Sequence, residues 1–156
     1  MMTNRGLCFL VADGEHARFV EADADNILRT CRSFDSAMAH RASRDLGTDR
    51  PGRSYESGTS GSHGVVPRHD PHRQEKTKFA HFIAGELGIH AQEGAFDRLV
   101  LIAPTHCLRE IETALDARAA AMVTGRLAKD LAKTPDHELS PHLRAWIDPP
   151  QRVTLP

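Results

Sequence analysis

GLCFLVADGEHARFVEA, residues 6–22, sets the fold by changing its pattern around a single turn. Gly6 to Ala12 is a short, nearly continuous apolar run, the mark of a strand buried on both faces and so central in its sheet. Asp13-Gly14 follows, the dipeptide most typical of a tight hairpin. From His16 to Ala22 the pattern alternates, with Ala17, Phe19 and Glu21 on one face and Arg18 and Val20 on the other. A third strand is expected from Ile27 to Phe34, after a turn over Asp23–Asn26. The first part of the chain therefore predicts an antiparallel meander of three strands.

The later part reads as helices alternating with strands. Asp70-Pro71 is a helix start, with Asp as N-cap and Pro at the first helical position. Phe79, Phe82, Ile83 and Leu87 recur at helical spacing, and Gly88 is placed to end that helix in the left-handed conformation. Arg98 to Ala103 (RLVLIA) is a second buried strand. Pro104 and Thr105 open a helix with the stripe Leu108, Ile111 and Leu115. Ala119 to Thr124 is expected as a weaker strand, and Leu127 and Leu131 fall in a short helical or extended piece. Thr134-Pro135 starts a last helix, with Asp136 and Glu138 in a first turn that favours acids. Its apolar face is Leu139, Leu143, Trp146 and Ile147, and Pro149-Pro150 stops it. The order β-β-β-loop-α-β-α-β-α implies one α/β domain over 1–148, a mixed sheet of about five strands flanked by about three helices. Residues 149–156 form a tail.

Composition narrows the function classes. The chain has 156 residues, enough for a genuine core, and a formal net charge of −1. That balance argues against nucleic-acid binding by the whole surface and leaves room for a local basic patch. The cysteines, Cys8, Cys31 and Cys107, are three in number and widely spaced, with no CxxC. They read as core thiols in a reducing compartment. The N-terminal apolar run, about six residues, is too short for a signal peptide or a membrane span. The expected location is the cytoplasm.

Between the meander and the first clear helix lies RDLGTDRPGRSYESGTSGSHGVVPRHDPH, residues 44–72, with almost nothing to bury. A loop this long in a small domain is usually functional or disordered. The loop, expected over 44–70, and the helix start beside it supply the candidate binding residues: Arg44, Asp49, Arg50, Arg53, Tyr55, His63, Arg68, His69, His72 and Arg73. Guanidinium groups pair bidentately with phosphate oxygens, and glycine lets backbone N–H groups approach. Against this, Asp45, Asp49, Glu56, Asp70 and Glu75 cancel much of the charge, as in an ordinary solvated loop. With Tyr55 as its one aromatic, the stretch makes no stacking platform for bases.

Three other constellations are weaker. His69 and His72 stand at i, i+3, and His63 with Asp70 would complete a ligand set, yet no HExxH or paired Cys supports a metal, and none is expected. His106 and Cys107 follow the LVLIA strand, at a junction where α/β sheets often bind ligands. As sequence neighbours on a helix they diverge, so they read as an ordinary helix start. Asp13 reads as a turn former able to bind a cation of the loop. No dinucleotide fingerprint, P-loop or nucleophile elbow is present, and no cofactor is expected.

LVADGEHARF (10–19), GTDRPGRSYES (47–57), HRQEKTKFAHFIAGEL (72–87), FDRLVLIAP (96–104) and VTGRLAKDLAKTPDHEL (123–139) together resemble the bacterial host-attachment proteins, "protein required for attachment to host cells". The resemblance runs in order from Gly6 to Trp146. That family is in turn similar to the central domain of archaeal and eukaryotic class-1 peptide-chain release factors. There, the loop before the long helix carries Gly-Gly-Gln, which promotes ester hydrolysis in the peptidyl-transferase centre. Here the corresponding loop reads GRSYESGTSGSHG, and the glutamines are Gln74, Gln92 and Gln151, none after a Gly pair. The resemblance thus implies the release-factor-like fold without that reaction. The expected role is non-enzymatic: binding of a ribosome, RNA or protein partner through the Arg/Gly/His-rich loop. Two other functions fit the same residues, a ribosome- or tRNA-associated factor lacking Gly-Gly-Gln and a hydrolase using His63, His69 or His72.

Overall fold

The computed structural model describes residues 6–48 and 71–147. Three strands come first, β1 (Leu7–Ala12), β2 (His16–Ala22) and β3 (Leu28–Asp35), then helix α1 (Ser36–Thr48). Helix α2 (Pro71–Gln92), β4 (Arg98–Ile102), α3 (Thr105–Ala114), α4 (Ala117–Met122) and β5 (Val123–Leu127) follow. A 3-10 turn at Asp136–Glu138 leads into α5 (Ser140–Ile147). The strands form one mixed sheet in the order β3-β2-β1-β4-β5. Strand β1 is antiparallel to β2 and parallel to β4, and β5 is parallel to β4.

The apolar run of β1 is central, as its pattern predicts, and all six of its residues are buried. Alternation sends Cys8, Leu10 and Ala12 to one face and Leu7, Phe9 and Val11 to the other. The first face packs against Phe79, Ala80, Ile83 and Leu87 of α2, Ile111 of α3 and Ala119 of α4. The second packs against Leu131, Leu139, Leu143 and Ile147, with Trp146 edge-on to Phe9. Strand β1 is thus sandwiched between two helical layers.

Four local expectations are corrected. The loop expected from residue 44 starts later, because α1 continues to Thr48. Asp35 accepts a hydrogen bond from the Met38 amide at 2.9 Å, an N-cap that turns the end of β3 straight into a helix. Gly88 does not end α2, which runs on to Gln92. It makes room for a neighbour instead: a Cβ there would lie 2.6 Å from an Asp116 carboxylate oxygen. Asp116 is the N-cap of α4 and accepts from the Ala119 amide at 2.8 Å, so Ala119–Met122 are helical and the strand begins at Val123. The last helix begins at Ser140, after the 3-10 turn that holds Asp136 and Glu138.

Gly125 on β5 serves a similar purpose. A Cβ at that position would lie 2.4 Å from the Trp146 indole nitrogen, so the ring rests on the bare backbone. Gly125→Ala is expected to force Trp146 off and cost about 1–3 kcal/mol, as overpacking does. Urea denaturation checks this, and an unchanged midpoint would show that the ring is free to move.

Candidate functional site

The carboxyl ends of β1, β4 and β5 lie at one edge of the sheet, where open α/β sheets bind ligands. Each contributes to a cleft of 370 Å³ there. At the end of β1, the Asp13 carboxylate accepts hydrogen bonds from the amides of Glu15 and His16, both at 2.7 Å. This fixes the Asp13-Gly14 turn and leaves Asp13 3.7 Å from the His16 ring. Gly14 has no side chain for a reason visible from α2. A Cβ there would lie 2.7 Å from Cγ of Lys76, whose stem is laid across the turn.

At the end of β4, Pro104 is the N-cap of α3 and offers no side-chain acceptor to the first turn. His106 and Cys107 stand in that turn on the cleft wall. After β5, the chain returns through residues 128–135 and brings Asp130 and Lys133 to the opposite wall. Burial pushes the Cys107 thiol above its ordinary range; the Lys76 ammonium works against this, while Asp13, Asp130 and Glu110 add to it. The other two cysteines are raised as well, Cys8 by burial and Cys31 by burial and Glu21, the latter to about 11.

A second concavity, 520 Å³, lies between α1 and α2 and is walled by Ala39, Ala42, Phe79 and Phe82. His40 and Glu75 bridge it at 2.6 Å.

Of the residues picked from sequence, Arg44 lies in α1, and His72 and Arg73 lie in the first turn of α2, with Arg73 exposed. Asp49, Arg50, Arg53, Tyr55, His63, Arg68 and His69 lie outside the described residues, as does Asp70. Among the described residues, no three His, Cys, Asp or Glu side chains come together as a metal site would require. Asp13 and the His106–Cys107 pair, separate in the sequence reading, share one cleft. Lys76, Asp130 and Lys133 were not singled out as its partners. Their convergence depends on strand order, and only the pairing of small Gly14 with Lys76 across the fold carries a trace of it.

Among the described residues, no helix is long and apolar enough to cross a membrane. A family model described as "Protein required for attachment to host cells" matches residues 8–143, from β1 into α5. No curated protein matches the chain.

Proposed function

The chain belongs to the family of proteins required for attachment to host cells, and from that premise we propose that it acts by binding an anionic partner in the cytoplasm, not by catalysis. The contact element is the Arg/Gly/His-rich segment 44–73, with Arg44, Asp49, Arg50, Arg53, Tyr55, His63, Arg68, His69, His72 and Arg73 as its polar and aromatic contacts. One observation carries this reading. The segment rejoins the fold at Pro71, about one and a half helical turns before Lys76 on the cleft wall. The segment thus joins the described fold beside the cleft at the carboxyl edge of the sheet. In position the segment corresponds to the release-factor loop that bears Gly-Gly-Gln, and it keeps the basic charge without the glutamine.

Binding through guanidinium groups weakens steeply with salt. Affinity capture from cell extract at low and raised salt, with the intact chain and with Arg50, Arg53 and Arg68 all replaced by Ser, tests the reading. The expected result is at least about a tenfold loss of captured material in the variant at low salt, and a comparable loss for the intact chain at high salt. Equal capture by both chains, insensitive to salt, would overturn it. Recovery of ribosomes or tRNA as the captured material would identify the partner as nucleic acid.

A further inference from the structure

Five residues that carry a charge line the cleft at the carboxyl edge of the sheet: Asp13, Glu15 and Asp130, with Lys76 and Lys133. None pairs with another. Among the described residues no carboxylate makes an ion pair with either lysine, and Asp130 accepts only from the Ala132 amide, at 3.4 Å. Asp13 is the most firmly built of the five. Its side chain is 19% exposed, and both amide donors of its turn go to Oδ1. Among the described residues nothing donates to its Oδ2. A carboxylate held this way, with one oxygen left over, is a preset acceptor for an ammonium group.

Lys76 is preset in a different way. A Cβ on Gly14 would lie 2.7, 2.8 and 2.9 Å from its Cγ, Cδ and Cε, so the stem runs along the bare turn next to Asp13. Gly14 has no left-handed φ, so this close approach and not the backbone requires glycine. Fixing the stem before a ligand arrives lowers the entropy cost of using its ammonium. Besides burial, the charges of Lys76, Asp13 and Asp130 act on the Cys107 thiol, so both signs converge on one part of the cleft. A purely anionic ligand there would meet three carboxylates, and a purely cationic one two ammonium groups. A ligand that carries both signs meets a partner for each. The cleft's 370 Å³ is within the range of small-molecule sites.

We propose that the cleft is a binding site for a small zwitterion of the amino-acid class. Its ammonium rests on the Asp13 carboxylate, and its carboxylate rests on the Lys76 ammonium, whose stem Gly14 admits. Asp130 and Lys133 stand on the opposite wall and repeat the two signs, so the ligand lies among charges of both kinds. This site goes beyond the partner contact of residues 44–73, and neither claim depends on the other.

The test uses the full chain with Cys31→Ser, which removes the exposed thiol and leaves buried Cys8 and cleft-lining Cys107. The probes are glycine, β-alanine, γ-aminobutyrate and δ-aminovalerate, with butyrate and butylamine as single-charge controls. Titration calorimetry reads binding, and the alkylation rate of Cys107 reads its place. At least one amino acid is expected to bind with a Kd of about 1 mM and, at about 10 mM, to slow alkylation about five- to tenfold. The controls are expected to do neither. Three variants are then tested with the best probe. Asp13→Asn keeps an acceptor for the two turn amides and replaces Oδ2 by a donor. Lys76→Met keeps the stem and removes the charge, whereas Gly14→Ala keeps the charge and displaces the stem. Each is expected to weaken binding about tenfold or more. No binding by any probe at about 10 mM would overturn the proposal, as would equal binding by butyrate or butylamine. Binding without protection of Cys107, or parental affinity in any of the three variants, would also overturn it. Lys76 is exposed, so Lys76→Met keeps the test decisive should Asp13→Asn fail to fold.

Discussion

Phe9→Ala is expected to destabilise the protein by about 3–5 kcal/mol, the range for emptying an aromatic site in a packed core. Phe9 is fully buried on the central strand, between Val20 of β2 and Val100 of β4. Its ring meets the Trp146 indole edge-on, with centroids 6.5 Å apart, so the truncation also removes an aromatic contact worth about 0.5–1.5 kcal/mol beyond its area. The layer on that side of the sheet is thin, α5 and the chain around Leu131 and Leu139, and has little material with which to refill the space. Phe82, half-buried on α2 beside the groove facing α1, makes the useful contrast. Its truncation removes less buried area and is expected to cost less than half as much. Urea denaturation of both variants, followed by Trp146 fluorescence, gives the comparison. A Phe9→Ala cost below that of Phe82→Ala would mean that the second face is not a core.

The success of the opening stretch has a physical basis. A strand buried on both faces has no polar positions, and Leu7–Ala12 shows that directly; a hairpin turn is a local event, and Asp13-Gly14 contains all of it. The helix from Pro71 is legible because a proline at its first position and its apolar spacing agree. What escaped was non-local or weakly patterned. Helix α1 is rich in Ala, Ser, His and Arg, so it offers little apolar periodicity, and its cap lies on the last residue of β3. Gly88 looks like a helix terminator until Asp116 is seen against it. Ala119–Met122 reads equally as strand or helix from four apolar residues, and the Asp116 cap decides for helix. The cleft needed four separate segments placed by strand order, so the sequence exposed Asp13, His106 and Cys107 but not their company.

The second large effect concerns binding. Removing Asp49–Val66 is expected to leave the fold intact and to reduce partner capture at least about a hundredfold, the scale set by losing several charge-assisted contacts together. His40 on α1 meets Glu75 on α2 at 2.6 Å, so the two helices that flank the segment touch. Pro67–Asp70 remain to join them and can span about 13 Å. Shortening this connection also recovers on the order of 1 kcal/mol of closure entropy, so stability is expected to hold or rise. The binding account therefore predicts a variant that folds as well as the parent and binds far worse.

That variant supplies the most direct measurement of the central claim. Parent and Asp49–Val66-deleted chains are matched by circular dichroism and thermal midpoint, then compared for partner capture at low salt. The account predicts equal folding and capture lost from the deleted chain. Undiminished capture of the same material by the folded, deleted chain would contradict it and move the contact surface to the cleft or the helices.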